Sequence, residues 1–280
     1  MRTYIKECLH GDFMLLHGDM ISEYVNLYGE WCESEVFLYA QILGTSSNVV
    51  EIGANIGMHT VPLAKICRSG KIICFEPQRA IFQILNANLA LNNLLHVDAQ
   101  RLAIGDVLGH IEIQATDYEK PWNYGSFSIT KGFSAESAFK GKLGSDRVTV
   151  IALDESAEVN ALPALDLLKI DAEGSEKEVL AGADKTIARH RPAIFIENNQ
   201  KGKEDELIQL INALGYSPYW FLSRRYRRGN FNKAAEFLSG VDVNMICFPR
   251  ERPLSPKIEK LKLIKATDAG QLKAGLPQYQ

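Results

Sequence analysis

The sequence predicts an open α/β fold built on a mostly parallel sheet covered by helices. Three observations lead there. From Asn48 onward short β-rich runs alternate with helical patterns, the rhythm of βαβ units. The first run, "NVVEIG", feeds a turn made of Gly53, Asn55 and Gly57. After an interruption the same rhythm returns with "LDLLKID" and "AIFIEN".

Taken in order, residues 1–47 read as an extension packed on the core, with a hairpin around Gly18-Asp19 and a helix from Glu33 to Leu43. Residues 48–250 form the main domain. It opens with "NVVEIG" and the helix "MHTVPLAKICRSG", then "KIICFE" and "QRAIFQILNANLALNN", then the strand "LHVDAQ". Between about 109 and 152 the strand-like pieces "GHIEIQA", "GSFSIT" and "DRVTVIAL" read as inserted hairpins at the carboxyl edge of the sheet. The rhythm resumes at "LDLLKID". Ser175 with Glu178 three residues on reads as a capping box starting a helix to about His190. "KEDELIQLINALG" is the next helix, stopped by Gly215. Two strands then follow with only a loop between them, so one should run antiparallel. Residues 251–280 are a polar tail without a strong pattern.

Composition is that of an ordinary soluble protein: 46% apolar, 23% charged, net charge −3 over 280 residues. That charge argues against a life on polyanions. No stretch has the length and apolarity of a membrane span, and the N-terminus lacks the apolar segment of a secretory signal. The five cysteines are scattered and never spaced C-x-x-C, so neither a zinc site nor a disulfide framework is suggested. Reduced thiols in a cytoplasm are the expectation.

The glycine turn limits the ligand. A dinucleotide fingerprint needs a second glycine where the pyrophosphate meets the backbone. Here Asn55 stands in its place and Gly57 arrives one residue early. There is no G-x-x-x-x-G-K-[ST] for a triphosphate either. Glu76, however, ends the second strand, where a carboxylate accepts the hydroxyl protons of an adenosine ribose. Adenosine without pyrophosphate describes S-adenosylmethionine, with Glu51 in the first strand placed to face its ammonium.

On these residues the sequence resembles the FkbM family of S-adenosylmethionine-dependent methyltransferases. The matching pieces are "GEWCESE", "VVEIGANIGMHT", "ICFEP", "LNANLALNN", "RLAIGD", "LLKIDAEGSEKEVLAGA" and "AIFIEN", from about Gly29 to Asn198, with weaker matches at "GNF" and "VNMICFPRE". The resemblance implies a Rossmann-like class I methyltransferase fold, seven strands with the last antiparallel. It also implies O-methylation, often of sugars or natural products. By motif position it implies that Gly53, Asn55, Gly57 and His59 line the methionyl part, Glu76 the ribose and Ala103 the adenine, with Asp171 beside the methyl group. Glu51 departs from the aspartate common at its position.

Ligands of open α/β sheets bind beyond the carboxyl ends of strands. Asp171, Glu173, Glu197, Asn198 and Asn199 fall there. Asp171 or Glu197 suits a general base, with Asn198 orienting the acceptor. Asp171, Glu197 and Asn198 together form an all-oxygen set that would suit magnesium. Glu173 and the aromatic Trp122 and Tyr124 are candidates for the acceptor wall. Arg224 and Arg225, in "RRYRRGNF", could grip an anionic acceptor. His190, at a helix end, reads as complementing the helix dipole. The expected partner is a small hydroxylated acceptor, a sugar, nucleotide-sugar or glycoconjugate precursor. RNA, a natural product or a catalytically inactive cofactor-binding module are the alternatives, and the acidic balance disfavours nucleic acid.

Overall fold

The protein is described by a computed structural model covering all residues except 129–131, 133–138 and 200–201. An N-terminal hairpin, β1 (Thr3–Cys8) with β2 (Gly11–Leu16), precedes α1 (Met20–Tyr28) and α2 (Glu33–Ile42). The hairpin turns at Leu9 and His10, not at Gly18-Asp19 as the sequence suggests. Asp19 instead caps α1, accepting from the Ser22 amide at 2.9 Å.

The central sheet starts with β3 (Val49–Ile52), α3 (Thr60–Ile66), β4 (Ile72–Phe75), α4 (Arg79–Leu91) and β5 (Val97–Gln100). A separate three-stranded sheet follows, β6 (Ala103–Gly105), β7 (Gly109–Ala115) and β8 (Gly144–Ala152), with β8 in the middle. The expected strand "GSFSIT" is not one where it is described. Tyr124–Ser126 is a 3-10 turn, and residues 129–130 lie outside the described residues.

After α5 (Ala157–Asn160) the sheet continues with β9 (Leu167–Ile170), α6 (Glu176–Ala181), α7 (Asp184–His190), β10 (Ala193–Glu197), α8 (Glu204–Ala213), β11 (Tyr216–Arg224) and β12 (Val241–Pro249). The spatial order is β5-β4-β3-β9-β10-β12-β11. The first five are parallel, and β12 runs antiparallel to both of its neighbours. These seven carry the order and the antiparallel last strand that the family resemblance implies, and two short strands of the tail extend the sheet to nine.

The predicted helix over 175–190 is two helices. Gly182 comes so close to β6 that a Cβ there would lie 1.8 Å from the Gly105 carbonyl oxygen. The Asp154 carboxylate then caps α7, accepting from the Lys185 and Thr186 amides at 2.9 and 2.8 Å. Nor does the capping box form. The Ser175 hydroxyl makes no cap bond, and Glu176 instead accepts from the Ala172 and Gly174 amides at 3.2 and 3.0 Å.

The tail is not patternless in space. Residues Pro256–Glu259 form α9, Gly270–Lys273 form α10, and the two-residue strands β13 (Ile264–Lys265) and β14 (Gln278–Tyr279) pair with β11. Tyr279 stacks on Phe221, ring centres 4.4 Å apart. Strands of two residues are too short for alternation to show in a sequence.

The central strands β3, β4 and β9 are buried along their whole length, as expected for parallel strands covered on both faces. Alternate residues serve two cores. Val49, Ile72 and Leu167 face the α3–α4 side, while Val50, Ile73 and Leu168 face Val179, Ile187 and Leu207 of α6, α7 and α8. With both faces filled, the carboxyl ends of the parallel strands are left as the place for a site.

Candidate active site

One cleft opens over those ends, lined from β3, β4, β9, β10 and β12 and from the N-terminal extension. At its centre the amides of Gly53 and Ala54 both donate to the Phe75 carbonyl at 3.0 Å, tying the glycine turn to the end of β4. Gly53 has φ +80° and Asn55 φ +51°, so the turn presents its backbone rather than bulky side chains. Glu76 grips the turn from the side. Its Oε2 accepts from the Asn55 amide at 3.0 Å and its Oε1 from the Gln78 amide at 2.9 Å. Burial lifts this carboxyl to about 7, and those two amides pull against the rise.

Glu51, Gly53, Asn55, His59, Glu76, Ala103, Asp171, Glu173 and Glu197 all line the cleft. Gly57 does not. A Cβ there would meet Leu85 at 2.8 Å, so this glycine serves the approach of α4 to the turn. Glu51 is almost wholly buried. It accepts from the Thr60 hydroxyl at 2.6 Å and lies 3.3 Å from the Lys169 ammonium. Lys169 is 2% exposed and also sits 3.7 Å from Asp171. Burial alone would pull its ammonium down, but Glu51, Asp171 and Glu35 outweigh that and hold it above its ordinary range.

Asp171, Glu173 and Glu197 converge, each with an oxygen within 4.8 Å of the others. Burial and the neighbouring Glu173 and Asp171 carboxylates raise Glu197 well above the usual range. Glu173 has φ +47°, a conformation rare for a residue with a side chain. Asn198 does not join them. Its amide points into the fold, donating to the Glu204 carbonyl at 3.2 Å and toward the Met245 sulfur, while Asn199 lines the cleft instead. Side chains alternate along an extended chain, so neighbours face opposite ways. An oxygen set for a hard cation would therefore use Glu173 where the sequence suggested Asn198.

The expected acceptor wall also shifts. Trp122 packs on Phe139, and Tyr124 is buried against Tyr118 with its hydroxyl donating to the Lys120 carbonyl, so neither side chain lines the cleft. Asn123, Gly125 and Phe127 from the same segment do, and Gln78 Nε2 holds that segment in place through the Tyr124 carbonyl at 3.0 Å. In the arginine run, Arg224 bonds Gln278, Arg225 forks onto Asp242 and Arg227 forks onto Glu30. Only Arg225 of these reaches the lining. The run is a brace between the β11–β12 loop and the N-terminal extension.

Sequence reasoning missed Trp31, Glu35, Lys169, Asp242 and Asn244, all of which line the cleft. Glu35, raised to about 8 by burial, accepts from Asn244 Nδ2 at 3.0 Å and from the Tyr39 hydroxyl at 3.2 Å. Its Oε2 also lies 3.5 Å from His59 Nε2. Burial and Lys169 keep that imidazole well below its ordinary pKa, hence neutral. The signal for Lys169 was available: a lysine inside "LLKI" must be buried and so needs carboxylate partners. Replacing it with methionine leaves Glu51 buried without its ion pair. Urea unfolding is expected to show a loss of about 3 kcal/mol, shrinking at acidic pH as Glu51 takes up a proton.

A parallel sheet with one antiparallel strand slotted between the last two parallel ones, and a ligand cleft over the glycine turn, is the architecture of class I methyltransferases. Residues 51–218 match the model of the methyltransferase FkbM domain, and the chain belongs to that family. It is similar to methyltransferase sdnD of Sordaria araneosa, at 27% identity over 196 residues, covering 61% of this chain and 76% of that protein. It is also similar to methyltransferase 1 of Beauveria bassiana, at 31% over 148 residues, 49% of this chain and 59% of that protein. To 2-O-methyltransferase NoeI of Sinorhizobium fredii it is 25% identical over 188 residues, 65% of this chain and 75% of that protein. Among solved structures, the methyltransferase FkbM from Methylobacillus flagellatus KT aligns at 17% identity with a TM-score of 0.46. That alignment covers 81% of this chain and 53% of the other, so the chain spans about half the length of that relative. Among the described residues no helix is long and apolar enough to cross a membrane.

Proposed function

We propose that the chain transfers a methyl group from S-adenosylmethionine to a hydroxyl oxygen of a small acceptor, with a sugar or glycoconjugate precursor as the leading class. The observation that carries this is the Gly53–Asn55 turn, clamped by Glu76 on one side and facing Asp171 on the other, within one cleft. The Glu76 side receives adenosine, with Ala103 and Phe127 beside the base. The Glu51 and Asp171 side receives the methionyl part. The name 2-O-methyltransferase of the NoeI relative is in keeping with oxygen as the atom methylated.

The donor's sulfonium is already activated, so the protein's task is alignment. The acceptor oxygen forms a bond to the methyl carbon as the carbon–sulfur bond breaks in line, leaving S-adenosylhomocysteine. Such positioning can contribute on the order of 7–11 kcal/mol. The hydroxyl proton passes to Asp171, whose side chain is 42% exposed and so can hand it on to water. Calorimetry is expected to show S-adenosylmethionine binding. Asp171→Asn should keep that binding within a few-fold and lower turnover about 10²- to 10⁴-fold, read as S-adenosylhomocysteine released over a panel of sugars and natural-product alcohols. A variant that turns over at the parent rate would remove Asp171 from the chemistry.

A further inference from the structure

We propose that the acceptor is an uncharged, polyhydroxylated ring such as a pyranoside, stacked on Trp31, and that phosphate-bearing sugars are rejected; the proposal rests on the methyltransferase reading above. Of the three tryptophans, Trp220 is buried and Trp122 packs on Phe139, whereas Trp31, between α1 and α2, is half-buried on the cleft wall. It is held before any ligand arrives. Tyr24 meets it edge-on with ring centres 5.7 Å apart, and the Arg225 guanidinium carbon lies 5.1 Å from its ring centre. A fixed indole bordering a polar cleft suits the apolar C–H face of a sugar, at little entropic cost.

The polar lining opposite specifies what the rest of the ligand must offer. Asp171 and Glu197 present carboxylate oxygens, and Glu197 Oε2 is buried with no hydrogen-bond donor among the described residues. Asn244 commits its Nδ2 to Glu35, which leaves its carbonyl oxygen for a donor in the cleft. Such a lining offers acceptor oxygens, while the amide donors of Gln78, Asn199 and Asn244 are committed within the protein. Several hydroxyl donors without negative charge satisfy it, and a polyol ring supplies them.

Among the described residues the lining offers an anion no free cation. Arg225 is the arginine of the lining and is forked onto Asp242, while Lys169 is buried between Glu51 and Asp171. A phosphate would have to be desolvated beside Asp171 and Asp242 with no free cation among the described residues to meet it, and like charges in an interface suppress binding. This reverses the role that four arginines within five residues suggest on paper.

Saturation-transfer NMR on the full chain loaded with S-adenosylhomocysteine tests the proposal. The probes are neutral methyl pyranosides and neutral oligosaccharides, set against matched sugar 1-phosphates and UDP-sugars. The neutral set is expected to show contacts at ring protons and the phosphorylated set none. Trp31→Ala should weaken the neutral ligands at least tenfold while S-adenosylhomocysteine affinity stays within twofold, and Trp31→Phe should restore most of the loss. Asn244→Leu, which removes the carbonyl oxygen but keeps the volume, should weaken the same ligands independently. The proposal is overturned if the phosphorylated set binds as well as the neutral set. It is equally overturned if Trp31→Ala binds like the parent, or if no neutral glycoside binds an enzyme that does hold S-adenosylhomocysteine. Failure to bind S-adenosylhomocysteine at all would instead remove the methyltransferase reading on which it rests.

Discussion

Glu76→Ala is expected to raise the dissociation constant for S-adenosylmethionine about 100-fold. Hydrogen bonds to a charged group contribute about 1.5–3 kcal/mol each, and this carboxylate has two jobs. It would take the ribose hydroxyls, and it also fixes the amides of Asn55 and Gln78 that shape the ligand's bed. Alanine removes both. Glutamine is a poor rescue, because one end of its amide is a donor and would face a backbone amide that is also a donor. Acidity gives a second readout. The carboxyl rises from 4.5 to about 7 on burial, so the folded state holds its proton to higher pH than the unfolded chain does. Between those values the native state binds more protons, and this group's contribution to stability falls as pH rises through the window. Ribose recognition by this carboxylate would have the opposite slope, since the ionised form would accept both hydroxyls. Affinity in the parent should therefore climb through about pH 7, and Glu76→Gln should lack that step. Calorimetric titrations across pH would decide it: an alanine variant that binds as the parent does ends the ribose assignment.

What the sequence showed of this site and what it hid follow one physical division. The half proposed for the donor is written in contiguous segments. Backbone conformation at Gly53 and Asn55 and one acid after the next strand are local facts, and each strand end is adjacent in sequence to the turn it begins. The half proposed for the acceptor is assembled across the chain. Trp31 and Glu35 come from an extension about two hundred residues before Arg225, Asp242 and Asn244, and only the packing of α2 against the β11–β12 end of the sheet brings them together. No spacing rule connects such residues. The exchange of Asn198 for Asn199 shows a finer limit. Glu197 ends a strand, but Asn198 still bonds the Val243 carbonyl at 2.9 Å, so alternation runs on past the last strand residue and puts Asn199, not Asn198, on the face of Glu197. The arginine run misled for a related reason, because Glu30 lies 197 residues from Arg227, and Asp242 meets Arg225 only through the pairing of β11 with β12.

Gly53→Ala is expected to lower stability by about 4–5 kcal/mol, or to prevent folding, which is far more than a single methyl group ordinarily does. Two costs add. The residue has φ +80°, and a left-handed conformation costs an L-residue with a Cβ roughly 1–2 kcal/mol. The new Cβ would also sit 1.9 Å from the carbonyl oxygen of Asp171. That neighbour is main chain at the end of β9, hydrogen-bonded through its own amide to the Ile52 carbonyl at 3.0 Å. It cannot rotate away as a side chain would, so β3 and β9 must part where the ligand binds. Gly229 separates the two costs. It too has a positive φ, +83°, but a Cβ there meets nothing within 4 Å. Gly229→Ala should therefore show the conformational cost alone, about 1–2 kcal/mol, in urea unfolding followed by circular dichroism. The excess in Gly53→Ala measures how tightly the turn is pressed against β9, and equal losses in the two variants would show that the turn yields. A yielding turn would also bind the donor with its methyl group poorly fixed, and an alignment-dependent transfer could not then be fast.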